Sequence, residues 1–471
     1  MLLRALWLTV RSPRRFVRNT LFALLCFALT VGVPVMAAGP FAEAGVTILY
    51  EYKGEAIGDA FGWVGANLGD LNGDGANEFA ITAPFAGGDE AKGIFYVYDG
   101  KTGAQVNRVE GEANMRFGHS INPAGDVNKD GTLDYVVGGF GPAGRVVVYS
   151  GVDHAVLLEI ANPEAKPQAF GFEVDGAGDV NGDGHADLVV GAPRADVSAT
   201  ITDTGRVYLL SGADGAVLWE KLGETPQGGL GSGVGGLADV NGDQVPDVAV
   251  AAPSAGENGL GEAYVLSGVD GALIHTLRPT AEAASGGTFG TFFANDAGDV
   301  NQDGVTDVFI GDYAAQRGAA ANTGRAYLYS GKDGATLHVF EAEADGAGLG
   351  PGRGVADVNG DKIPDQVIAE WTSNAGVANG GKVFVFSGAD FSVLHTMTGA
   401  LENDSLGVDA LSLGDLNGDG STEYLLTGVG LDFAGQDVGH AYVVSVQAKA
   451  APSMQLQPVL GGCRPIQPAS S

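Results

Sequence analysis

The chain has 471 residues and a formal net charge of −32, from 57 acidic and 25 basic side chains. That balance excludes nucleic acid as a partner, because phosphate binding needs a basic face. A hydrophobic fraction of 45% with 77 glycines fits a turn-rich β protein and excludes a disordered acidic tail.

Residues 1–38 read as an export signal. Arg4, Arg11, Arg14, Arg15 and Arg18 form a basic leader, 20–35 is apolar, and Val35-Met36-Ala37 or Met36-Ala37-Ala38 supplies small residues for cleavage. Retention as an anchor is the alternative, since the apolar run is near the lower length limit for a spanning helix. No later segment is apolar enough to cross a membrane. Cys26 lies inside the signal behind Leu25, where a lipidation site wants a small residue. Cys463 is then a single thiol, read either as an incidental residue of a flexible tail (447–471) or as a covalent attachment point.

The remainder, 39–446, predicts one repeat architecture. Seven units of about 53–60 residues each open on a hydrophobic-Gly pair: Phe61-Gly62, Phe117-Gly118, Phe170-Gly171, Leu230-Gly231, Phe289-Gly290, Leu349-Gly350 and Leu406-Gly407. An acidic loop follows, then a β-rich run such as Asp187 to Pro193. A strand with alternating apolar positions (Gly205 to Ser211), a Ser-Gly-x-Asp-Gly turn (Ser211 to Gly215) and a last strand (Ala216 to Glu220) complete the unit. Four short strands per repeat predict an all-β, seven-bladed β-propeller. The last unit stops after its third strand, Gly439 to Ser445, whereas Gly45 to Tyr52 is an orphan strand ahead of the first unit. Pairing the two closes the ring and leaves no open sheet edge.

The acidic loops place oxygen at positions 1, 3, 5 and 9, with the carbonyl of position 7 as a further donor. This spacing of hard ligands is calcium chemistry. The candidate ligand sets are Asp70, Asn72, Asp74, Ala76 and Glu78; Asp126, Asn128, Asp130, Thr132 and Asp134; and Asp179, Asn181, Asp183, His185 and Asp187. They continue with Asp239, Asn241, Asp243, Val245 and Asp247; Asp299, Asn301, Asp303, Val305 and Asp307; Asp357, Asn359, Asp361, Ile363 and Asp365; and Asp415, Asn417, Asp419, Ser421 and Glu423. Up to seven Ca2+ ions are therefore expected, in a structural role. At position 6 most loops have glycine, but two have Gln244 and Lys362, and a Cβ disfavours a left-handed turn. Those two loops are expected to differ in shape or strength.

The Phe-Gly pairs, the acidic loops and the Ala-Pro elements (Ala83-Pro84, Ala192-Pro193, Ala252-Pro253) resemble the FG-GAP repeats of the integrin α-subunit propeller and its bacterial relatives. The resemblance covers about 45–446. It implies a seven-bladed propeller whose calcium loops join the first and second strands of each blade. It departs from that family in carrying a loop in every blade, and we read no counterpart of an integrin's leg domains or membrane anchor.

Evidence for catalysis is thin. The histidines show no motif spacing, and no nucleophile elbow, zinc-protease helix or phosphate-binding loop occurs. Connections between second and third strands vary from blade to blade, whereas the acidic loops and Ser-Gly-x-Asp-Gly turns repeat. The long ones, 194–204, 312–323, 370–380 and 428–438, carry Arg194, Tyr313, Arg317, Trp371 and Phe433. Binding residues concentrate on loops held by a rigid scaffold, so Tyr313, Arg317 and Trp371 are expected to converge on one rim of the central channel. The expected function is a monomeric, secreted or surface-exposed bacterial propeller binding an extracellular protein or glycan in adhesion. An extracellular polysaccharide lyase or hydrolase is the alternative, and a structural part of a surface assembly a third reading.

Overall fold

The computed structural model describes residues 39–164, 166, 168–280, 287–430 and 438–446. Residues 1–38, read above as an export signal, and 447–471, with both cysteines, and Phe433 lie outside the described residues. Seven separate four-stranded antiparallel sheets form the blades of a β-propeller. Blade three shows the pattern: Val174–Gly178, Asp187–Ala192, Arg206–Leu210 and Val217–Leu222 pair in that order. The first strands of successive blades touch one another all the way round, the seventh meeting the first, so they form the inner wall.

Burial explains the strand sequences. Asp187–Ala192 and Arg206–Leu210 are buried along their whole lengths, since neighbouring blades cover both faces. They therefore read as continuous apolar runs instead of alternating ones. The outer strand Val217–Leu222 is largely exposed and tolerates Glu220 and Lys221. The core is divided into seven apolar clusters, each lying between two adjacent blades. A single blade has no core of its own, which is why the repeats fold only as a ring.

The hydrophobic-Gly pair sets each blade against its predecessor. Its aromatic residue is held within its own blade, Phe61, Phe170 and Phe289 packing edge-on against Tyr96, Tyr208 and Tyr327 with ring centroids 5.5 Å apart in all three cases. The glycine has φ of 87° at Gly62 and 90° at Gly231. A Cβ there would come within 2.8 Å of the His440 carbonyl or 2.6 Å of the Arg206 carbonyl, both in the preceding blade. Only glycine permits that conformation and that approach.

Ring closure follows the expected route. Val46–Lys53 pairs antiparallel with His440–Val446, from Val46 opposite Val446 to Lys53 opposite His440, with a register shift between Ile48 and Tyr50. The segment before it is also tied down. Phe41 bridges to Gly399 and packs edge-on against Tyr442, and the Glu43 carboxylate accepts hydrogen bonds from the Thr398 amide and hydroxyl at 2.7 Å. Along the axis, polar side chains stitch neighbouring blades. Asn67 donates to the Ser412 carbonyl at 3.1 Å, Asn122 to the Val174 carbonyl at 2.9 Å, and the Gly65 amide donates to Asp409 at 3.0 Å.

Deleting residues 40–53 removes the fourth strand of blade seven and uncovers the edge of His440–Val446. The truncated protein is expected to aggregate on size-exclusion chromatography; a stable monomer with the parent melting temperature would refute closure through this strand.

Candidate functional site

Antiparallel connection puts the first-to-second and third-to-fourth connections at one end of each blade and the remaining connections at the other. The acidic loops and the Ser-Gly-x-Asp-Gly turns therefore share an end, and hydrogen bonds join them. The ninth loop residue is the link. Glu78, Asp134, Asp187, Asp247, Asp307, Asp365 and Glu423 are all at most 2% exposed. One oxygen of each accepts the amide of loop position 2, at 2.7 to 2.9 Å. In blades two to six the other oxygen accepts the amide of the turn glycine, as Gly212 donates to Asp187 at 2.9 Å. Burial raises the pKa of these carboxyls, that of Asp307 to about 6, while the amides oppose the rise.

The other loop oxygens sit at or near the surface. The position 1 carboxylate accepts the amide of position 6 in all seven loops, at 2.7 to 2.9 Å. The position 5 carboxylate accepts the amide of position 7, at 2.8 to 3.1 Å. Those amides hold Asp130, Asp183 and Asp419 below the usual carboxylate range. The His185 ring turns to the Val127 carbonyl of the neighbouring blade, leaving its own carbonyl to the loop. Each loop thus presents two outer carboxylates and an asparagine, with the third carboxylate turned onto amides. Among the described residues no three carboxylate, imidazole or thiol groups gather closely enough to make a metal site alone. The donor set nevertheless fits a hard cation, because side-chain oxygens of three residue positions and a carbonyl are wound around one turn, with the ninth carboxylate behind them.

Gln244 and Lys362 take the left-handed conformation of the glycines they replace, both with φ of 71°. Their amides make the same bonds, to Asp239 and Asp357 at 2.7 Å. These two loops therefore keep the common shape, at a cost in backbone strain. Lys129 and Gln302, with φ of 65° and 59° at position 4, carry the same strain, which the position 6 comparison did not reveal. Gln244→Gly and Lys362→Gly are each expected to stabilise the protein by about 0.5–1 kcal/mol, the relief of strain exceeding glycine's entropy; chemical denaturation at fixed calcium measures it.

At the opposite end the channel mouth forms a cavity of about 180 Å³, lined by Trp63, Phe292, Tyr313, Trp371, Glu173 and Arg353 among others. Tyr313 and Trp371 meet edge-on at 6.3 Å. Arg317, expected beside them, instead turns outward to Asp345 and the Ala342 carbonyl. It is held away because the loop after blade five presents both acceptors to it. Arg194 is exposed and lines a different cavity. Trp63 and Phe292 were missed by sequence reasoning, although Trp63 directly follows a Phe-Gly pair, where blade alignment would have shown it.

Beneath the aromatics lie buried polar groups. Glu173 is 6% exposed. Ser120 donates to one of its oxygens at 2.8 Å, and the other has no partner. Burial pushes the Glu173 carboxyl well above the usual range and Asp175 up to about 7. Arg353 pairs with Asp409, yet its Nε is unpartnered, as is Nε1 of Trp371. His119, pushed down to about 4 by burial, stays neutral among Trp63, Phe140, Phe172 and Phe292.

Comparisons with known proteins agree with this architecture. The FG-GAP repeat family matches residues 61–98 and 170–210, in blades one and three. Integrin alpha-PS5 of Drosophila melanogaster is 33% identical over 164 residues, covering 31% of this chain and 16% of that protein. Human integrin alpha-IIb is 34% identical over 210 residues, covering 41% and 19%. Mouse integrin alpha-7 is 34% identical over 158 residues, covering 31% and 13%. The matched stretches are thus less than a fifth of these relatives' own length. A chain of the crystal structure of BBS1N in complex with ARL6DN, soaked with lead, shares the fold with a TM-score of 0.51 at 12% identity, covering 86% of this chain and 98% of that one. The protein is a seven-bladed propeller, and two of its blades match the FG-GAP repeat. Over part of its length it is similar to integrin alpha subunits. Among the described residues no helix is long and apolar enough to cross a membrane.

Proposed function

We propose that the protein is an exported, adhesion-type binding module, its blades stabilised by calcium, that holds an extracellular protein or glycan at the channel mouth opposite the acidic loops. One observation carries the ligand site: three buried polar atoms without partners, on Glu173, Arg353 and Trp371, belong to residues lining one aromatic cavity. Buried polar atoms are normally satisfied, and unsatisfied ones call for a reason. A ligand carrying both donors and acceptors supplies it. The likeness to integrin alpha subunits supports the adhesion reading and export.

Calcium would be held by the position 1, 3 and 5 side chains and the position 7 carbonyl, with the ninth carboxylate behind them. Its contribution is charge neutralisation on a glycine-rich turn. At free calcium about tenfold above a dissociation constant near ~10⁻⁴ M, one site stabilises the fold by roughly 1.4 kcal/mol, and seven by about 10 kcal/mol.

Two measurements test this reading. Excess chelator is expected to lower the melting temperature by more than about 10 °C, with five to about seven ions counted by isothermal titration; an unchanged melt refutes structural calcium. Replacing Tyr313 and Trp371 with alanine together is expected to abolish ligand capture from extracellular protein and glycan arrays, with calcium count and melting temperature nearly unchanged. Binding that survives this change but is lost on altering the Ser-Gly-x-Asp-Gly turns would place the ligand at the wrong end.

A further inference from the structure

Nine arginines lie among the described residues, and seven of them pair with a carboxylate: Arg108, Arg145, Arg206, Arg278, Arg317, Arg325 and Arg353. In a chain of net charge −32 such pairing is what chance proximity alone would give. Arg116 and Arg194 are the two that do not pair, and both line one cavity of about 310 Å³ with Ala91, Asn114, Phe140 and Pro142. No carboxylate lines it.

The scaffold does not require either side chain. The residue before the hydrophobic-Gly pair is Ala60, Ala169, Gly229, Thr288, Gly348 or Ser405 in the other blades, and Arg116 in blade two alone. This position is left-handed in most blades, with φ of 52° at Ala60 and 50° at Arg116, so the backbone there does not call for an arginine. Its guanidinium is nevertheless fixed, lying 5.8 Å from the Phe85 ring centroid and 4.9 Å from that of Phe140. At the position of Arg194 the other blades carry Phe85, Gly141, Ser254, Ala314, Thr372 and Gly430, none of them charged. Two independent departures from the repeat therefore deliver guanidinium groups to one cavity.

We propose that Arg116 and Arg194 form the carboxylate-binding wall of a subsite for one acidic sugar unit, of the hexuronate class. Two planar guanidinium forks match a carboxylate, and the aromatic support of Arg116 orients one of them in advance. The cavity volume is at the lower end of the ~300–1,000 Å³ typical of small-ligand pockets, suited to a ring more than to an acidic side chain of a peptide. Asn114 offers an amide for hydroxyl groups, and Ala91, Phe140 and Pro142 offer apolar surface for a ring face. The negative charge of the whole chain opposes non-specific capture of polyanions, so recognition here is by short-range contact.

The test is isothermal titration of the full chain in saturating calcium with galacturonate and glucuronate trimers, their carboxyl-reduced neutral counterparts, and a hexaglutamate peptide. At least one trimer is expected to bind, and its reduced form to bind at least about tenfold more weakly. Arg116→Gln and Arg194→Gln are each expected to cause a loss of the same order. Arg194 is exposed, so its variant keeps the parent melting temperature and the result stands even if Arg116→Gln misfolds. Arg278→Gln, at an exposed arginine paired with Glu262 and outside both cavities, leaves trimer affinity unchanged, which separates recognition at this subsite from a general loss of positive charge. The subsite is refuted if neither trimer binds, if the reduced trimer binds equally, or if Arg194→Gln has no effect. It is also refuted if hexaglutamate binds as tightly, which would assign these arginines to an acidic protein.

Discussion

In each of the seven blades a buried carboxylate at the end of the acidic loop accepts an amide from the start of that loop, and in five blades an amide from the turn between the third and fourth strands as well. A buried carboxylate without such donors would be costly, so the loop and the turn must stay in place together. This joint fixes the loop's backbone before any cation arrives, and the outer Asp and Asn side chains then brace the turn from within. The cation site proposed for these loops would rest on a rigid foundation, which limits the ordering cost of binding. Blade seven shows the constraint from the other side. Its third and fourth strands come from opposite ends of the chain and have no turn between them, and there the second oxygen of Glu423 accepts the Asn417 side-chain amide at 3.1 Å.

Because every apolar cluster lies between two blades, no blade can be optimised alone. The sequence devices that repeat word for word are those that act across a boundary: the Phe-Gly pair passing close to the preceding blade, and the loop-and-turn joint. The axis is packed differently. Asn67, Asn122, Asp175 and Asp409 bind backbone groups of a neighbouring blade, so polar side chains replace a hydrophobic centre. Seven first strands around an axis leave a channel, and its side chains are free to differ from blade to blade.

Most of the architecture was legible in the sequence because periodic devices announce themselves. The hydrophobic-Gly pairs gave the blade count, and the unmatched strands at 45–52 and 439–445 gave the closure. The role of the ninth loop residue was not legible: spacing places an oxygen near a metal but cannot tell an outward carboxylate from one turned onto amides. The shape of the Gln244 and Lys362 loops was misjudged, since a few hydrogen bonds outweigh a local strain of about 1 kcal/mol. At the ligand end the reading was divided. Tyr313 and Trp371 converge as expected, but Arg317 meets Asp345, a partner twenty-eight positions away that no local pattern signals. Glu173, Arg353 and Asp409 were invisible for the same reason, each belonging to a different blade.

The two ends of the propeller differ because of how antiparallel strands connect. One end receives the connections that must carry the joint and its acidic loop, so its residues are dictated blade after blade. The other receives connections pinned only at their bases, as where Gly205, Gly324 and Gly381 bridge to the start of the following blade. A loop held at its base but free at its tip can accept an arginine, a tryptophan or an insertion without disturbing the core. Substitutions that would be expensive anywhere else therefore accumulate there, and the left-handed Arg116 is the clearest of them. Where the scaffold asks for a small residue and the chain supplies a fixed, unpaired cation, packing does not explain the choice, and recognition does.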